Sequence, residues 1–127
     1  MTSGYSPLRG SVGRCDTTRS LMTMEHLLVR TTTPDLESAR EIARSATGQK
    51  FAATAKIGGP LTSVWWHLGE QGEGEEWQVE FQTTSVRYAE LESHIIAEHP
   101  WNKPEVTTLP LGGSRPYLDW LESATES

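Results

Sequence analysis

The residue types best suited to chemistry gather in one short run, Glu98-His99-Pro100-Trp101-Asn102-Lys103-Pro104-Glu105-Val106. An imidazole beside a carboxylate suits borderline ions such as Cu(II) and Zn(II). The same run also reads as a stiff turn. Pro100 and Pro104 break a helix, and a histidine at a helix C-terminus is favoured by the dipole and the unpaired carbonyls with no metal present. The residues alone leave both readings open. His67 alternates with Trp65 and Trp66 and reads as a hydrogen-bonded or solvent-exposed imidazole, or as one facing a subunit seam. His26 and His94 have no suitable sequence neighbours and are expected on the surface.

Other chemistries lack their residues. The run Glu70–Glu76 offers several carboxylates without the D-x-D-x-D-G order of a calcium loop, so it reads as a solvated hairpin tip. No serine sits in a G-x-S-x-G elbow. A phosphate-cradling loop after the first strand would need a glycine and an asparagine, and Arg30-Thr31-Thr32-Thr33-Pro34-Asp35 has neither. A net charge of −6 argues against nucleic acid, and the basic-aromatic strand motif of an RNA-recognition domain is missing. No apolar run reaches the length needed to cross a bilayer.

The elements that must position His99 follow from periodicity. His26–Thr32 reads as a strand. Helix signals follow it: Thr33 as N-cap, Pro34 at the first helical position, a stripe of Leu36, Ala39, Ile42, Ala43 and Ala46, and Gly48 as the stop. Residues 50–57 and 61–68 are two strands, or one long strand broken at Gly58-Gly59-Pro60 by a bulge. The acidic run then turns the chain into a strand with Trp77, Val79 and Phe81 on one side. A second helix carries Tyr88, Leu91 and Ile95 and ends at Pro100. A short strand at 105–111 and an amphipathic helix at 115–124 finish the chain.

This order, β-α-β-β-α-β plus a terminal helix, predicts an α+β ferredoxin-like sandwich with both main helices on one sheet face. The other face invites a partner. Five Trp in 127 residues is generous, and Trp65, Trp66, Trp77 and Trp120 read as core and interface anchors.

Residues 1–24 show no period and hold Arg9, Arg14 and Arg19 against Asp16, a local charge of +2 that leaves −8 for the rest. They are expected to be a disordered extension: an inert tail or an upstream start before Met22 or Met24, a transit peptide, or a regulatory arm. Residues 25–124 form the domain and 125–127 a tail. The single Cys15 and the lack of an apolar leader fit a reducing cytoplasm.

Four separated motifs carry a resemblance: Phe51–Glu70, Thr83-Thr84, His99–Val106 and Tyr117–Leu121. In order and spacing they resemble the CutA divalent-cation-tolerance proteins over about Glu25 to Ala124. The resemblance implies a tight homotrimer, similar in design to PII signalling proteins, with no catalytic activity and with a role in tolerance of copper and other divalent metals. It implies a metal site drawing on Glu76, Glu98 and His99, and interface or cleft positions at Trp65, Trp66, Trp101 and Trp120. The chain departs from the pattern at Thr31 and Thr54, where family members carry cysteines, and at Glu98, Gln82 and Trp101. Loss of both thiols removes any preference for Cu(I), so Cu(II) or another divalent ion is the candidate ligand. The alternative implied by the PII-like design is a sensor of a small anionic metabolite or nucleotide in the inter-subunit clefts. A purely structural trimer is the third reading.

Overall fold

The computed structural model describes residues 24–127. The expectation of a disordered extension at 1–24 therefore lies outside the described residues, Met24 excepted. The elements are β1 (His26–Thr33), α1 (Leu36–Gly48), β2 (Thr54–His67), β3 (Glu70–Thr84), α2 (Tyr88–Glu98), β4 (Thr107–Pro110) and α3 (Arg115–Ala124). Four antiparallel strands form one sheet in the order β2-β3-β1-β4, the ferredoxin-like arrangement.

Alternation along the strands assigns the two faces. Val29 and Thr31 of β1 lie beside Phe81 and Val79 of β3, all fully buried against Ala39, Ile42 and Ala46 of α1 and Leu91 and Ile95 of α2. The stripe read from the sequence is the stripe that packs. The opposite face carries His26, Leu28, Arg30 and Thr32, and it is partly covered by α3. Leu118 and Leu121 of α3 are buried, His26 Nε2 meets Glu122 Oε2 at 2.8 Å, and the Tyr117 hydroxyl donates to Gln82.

Two local expectations are corrected. The N-cap of α1 is Asp35, whose Oδ1 accepts the Ser38 N–H at 2.7 Å, whereas Thr33 stays in β1 and its hydroxyl donates to the Asp35 carbonyl. The helix ends at Gly48, where the sequence places its stop; Gln49 is the C-cap and Lys50 takes the left-handed conformation (φ 65°) just beyond. The acidic run is not the hairpin turn. The turn is Leu68-Gly69, both at positive φ (54° and 81°), and Glu70 already belongs to β3. The open question about Gly58-Gly59-Pro60 resolves as one long strand with a register shift between Gly58 and Leu61.

Gly72 and Gly74 serve a different purpose from turning the chain. A Cβ on Gly72 would lie 2.5 Å from Trp65 Nε1, and one on Gly74 would lie 3.3 Å from the same ring. The indole rests on strand backbone that only glycine leaves bare, a packing that shields a weak strand segment.

Candidate functional site

His99 follows the last residue of α2 and takes an extended conformation (φ −77°, ψ 141°), which turns the ring under the end of β1. Only 8% of the residue is exposed. Its Nε2 lies 2.7 Å from the Thr32 carbonyl oxygen, and its Nδ1 lies 3.0 Å from the Trp101 backbone nitrogen. A carbonyl can only accept and a backbone N–H can only donate, so these partners assign the neutral tautomer with the proton on Nε2 and the lone pair on Nδ1. The ring therefore ties α2, β1 and the proline-bracketed loop together. Trp101 packs against it with ring centroids 5.2 Å apart. The stiff turn and the ligand candidate are thus one structure, and the stapling role is visible in it.

The carboxylates do not join His99 within one chain. Glu98 is exposed. Glu76 stands opposite Leu61, past the bulge, and its register places it with Gln78 and Glu80 on the face away from α1 and α2. Among the described residues, no three His, Cys, Asp or Glu side chains are grouped closely enough to hold a metal ion. The two positions where the family carries cysteine are also separated. Thr31 faces the helices, while Thr54 pairs with Gln82 and so shares the face of Leu28. Thr31 is fully buried, and its hydroxyl has no hydrogen-bond partner among the described residues.

Two histidines expected to lack neighbours have them. His26 meets Glu122 as described, from the opposite end of the domain sequence. His94 Nε2 lies 2.7 Å from Ser45 Oγ, and its ring meets Phe51 edge-on at 5.4 Å. A serine bonded to a histidine resembles a nucleophile with its base. Here Ser45 sits inside α1 with its hydroxyl also 3.3 Å from the Ile42 carbonyl, and the pair links α1 to α2. No sequence signal pointed to either contact, because the partners lie 49 and 96 residues apart.

The candidate interface tryptophans occupy separate places. Trp65 and Trp66 lie on the far half of the β2–β3 hairpin, with Trp66 77% exposed. Trp101 covers His99, and Trp120 of α3 stacks with Tyr117 at 5.5 Å. The strands β2 and β4 both end the sheet, each with one edge unpaired among the described residues. Among the described residues, no helix is long and apolar enough to cross a membrane.

Comparison with known proteins gives this geometry relatives. A divalent-cation tolerance protein CutA of Thermus thermophilus is 36% identical over 99 residues, spanning 77% of this chain and 96% of that protein. The chloroplastic CutA of Arabidopsis thaliana is 33% identical over 110 residues, which are 85% of this chain and 60% of that longer protein. The crystal structure of CutA1 from Oryza sativa superposes with a TM-score of 0.78 at 31% identity, covering 80% of this chain and 94% of that one. A sequence model of the CutA1 divalent ion tolerance protein family matches residues 27–124, from the first strand to the end of α3. Sheet order, the long hairpin and the His99 corner all fall inside that match, and the chain belongs to the CutA1 divalent ion tolerance family.

Proposed function

We propose that this chain is a non-enzymatic divalent-cation tolerance protein that works as a cytoplasmic homotrimer and holds a divalent ion, Cu(II) or Zn(II), in clefts between its subunits. Membership of the CutA1 family supports tolerance as the role. The single observation supporting ion binding is the posture of His99. Metal-ligating histidines commonly donate their other ring N–H to a backbone carbonyl, which fixes the tautomer and aims the free lone pair. His99 makes that bond to Thr32, and among the described residues the Trp101 N–H on Nδ1 is the one hydrogen bond an incoming ion has to displace. That exchange costs about 1 kcal/mol. Glu98 stands beside the site, and Glu76, on the other face of its own chain, would reach it from a neighbouring copy.

Trimer formation draws support from the surface. Leu61, Val64, Trp65 and Trp66 are exposed together on a hairpin that outruns its own helices. Covering Trp66 alone is worth about 3–4 kcal/mol per chain, from the area of an indole and the usual transfer coefficient. Light scattering should return three times 14.1 kDa. A single-chain mass at micromolar concentration would overturn this part. For the ion, calorimetric titration of the metal-free protein with Cu(II) and with Zn(II) should reveal binding that weakens at least about tenfold in His99→Ala and also in Glu98→Gln, about 1.4 kcal/mol each. Since His99 also staples the fold, the exposed Glu98 variant provides the control. Affinity unchanged in both variants, or no binding by the parent chain, refutes the site.

A further inference from the structure

The groove between α1 and β2 carries a charge pattern that the His99 corner does not explain. It encloses about 300 Å3 and is lined by Arg40, Ala43, Arg44, Thr47, Ala55 and Ile57. Each of the other described arginines has a carboxylate: Arg30 meets Glu80, Arg87 meets Glu90, and Arg115 meets Asp119. Arg40 and Arg44 have none within 4 Å among the described residues, although Glu37 and Glu41 each precede one of them by three positions on the same helix. Like charges four residues apart on a helix lie side by side, about 6 Å along the axis, and repel. On a chain of net charge −6, two neighbouring guanidinium groups line one groove with no counter-ion among the described residues.

We propose that this groove is a binding site for a small oxyanion, a phosphate or a carboxylate, with a short apolar body. Arg40 and Arg44, side by side on α1, take the anionic head together, each able to offer two parallel N–H donors. Ala43, Ala55 and Ile57, at the margin of the core, form the apolar floor. Thr47 does not add a donor, because its hydroxyl donates to the Ala43 carbonyl at 2.8 Å. Both arginines are exposed, so the ion pairs are screened by solvent and the affinity is weak. The groove is lined by residues of one protomer and uses neither His99 nor the half of the hairpin beyond the bulge.

The test compares thermal midpoints of the full chain in sodium phosphate, sodium citrate and sodium chloride at equal ionic strength. The parent chain should gain several degrees in phosphate or citrate over chloride, since an anion that binds only the folded state stabilises it by mass action. Which of the two salts acts at lower concentration distinguishes a phosphate head from a carboxylate head. In Arg40→Gln/Arg44→Gln the gain should vanish, while the midpoint in chloride stays level or rises because the repulsion is gone. Arg40→Lys/Arg44→Lys should keep a smaller gain. Equal midpoints in all three salts overturn the proposal, as does a gain that persists in the double glutamine variant. A glutamine variant that changes mass by light scattering also overturns it, because the arginines would then belong to a contact between chains.

Discussion

Near the helices the β2–β3 hairpin buries Val79 and Phe81 completely, whereas beyond the bulge at Gly58/Leu61 it leaves Leu61, Val64, Trp65 and Trp66 in solvent. Both halves are paired antiparallel, in one register up to the bulge and another beyond it. The near half has α1 and α2 to pack against. Among the described residues the far half has cross-strand contacts and the Trp65 ring laid over Gly72 and Gly74. One strand pair can therefore be a core element over part of its length and a surface for association over the rest, according to what the chain places above it.

The sharpest way to break this comparison is to empty the near half. Phe81→Ala should cost about 3–5 kcal/mol, the usual range for truncating a buried aromatic, read as a fall in the urea midpoint. A loss as small as that expected of a surface position would mean that the helices do not hold this half. In the far half, Gly72→Ala places a Cβ 2.5 Å from the Trp65 ring and should displace it, costing about 1–2 kcal/mol and altering tryptophan fluorescence. An unchanged emission spectrum would show that the indole does not rest there.

Thr31→Val sharpens the contrast in the opposite direction. The hydroxyl of Thr31 is buried without a partner, so an isosteric apolar side chain should raise stability by about 1 kcal/mol in the same urea experiment. Destabilisation would reveal a hydrogen bond formed only in solution. The smallest effect concerns Tyr88, which packs on the near-half core. Burial first, then the Glu92 carboxylate that accepts its O–H, pushes the phenol up to about 12 from an ordinary 10. Between those values the unfolded chain loses the proton while the folded chain keeps it, so stability falls as pH rises from about 10 to about 12. In Tyr88→Phe this part of the decline should disappear from a pH series of urea midpoints.

Much of this architecture was legible because periodicity is a property of neighbours in sequence. Leu36, Ala39, Ile42 and Ala46 repeat at the helical interval, Val79 and Phe81 at the strand interval, and α3 was bounded at Arg115 and Ala124 by its own amphipathic pattern. The hairpin turn is hidden in the sequence because Leu68 is a poor advertisement for positive φ, while two glycines and four glutamates nearby imitate a loop. Those glycines answer to Trp65, across the strand, which a linear reading does not weigh. The candidate site suffered similarly. The sequence singled out His99, but its partners are a carbonyl and a backbone N–H, groups that every residue carries and no motif records. His26 and His94 were read as isolated because Glu122 and Ser45 are distant in the chain.

The contact between His26 and Glu122 joins the first strand to the last helix. The two ends of the domain therefore meet on one side of the sheet, while the Leu68-Gly69 turn lies at the tip of the hairpin. That geometry makes the domain a candidate for circular permutation: a short linker from α3 to β1, with new termini cut at Leu68-Gly69, would preserve every strand pairing. Such a rewired chain would begin with β3 and end with β2. It would free the hairpin tip from its loop and let the association surface be tethered, tagged or extended without touching the His99 corner.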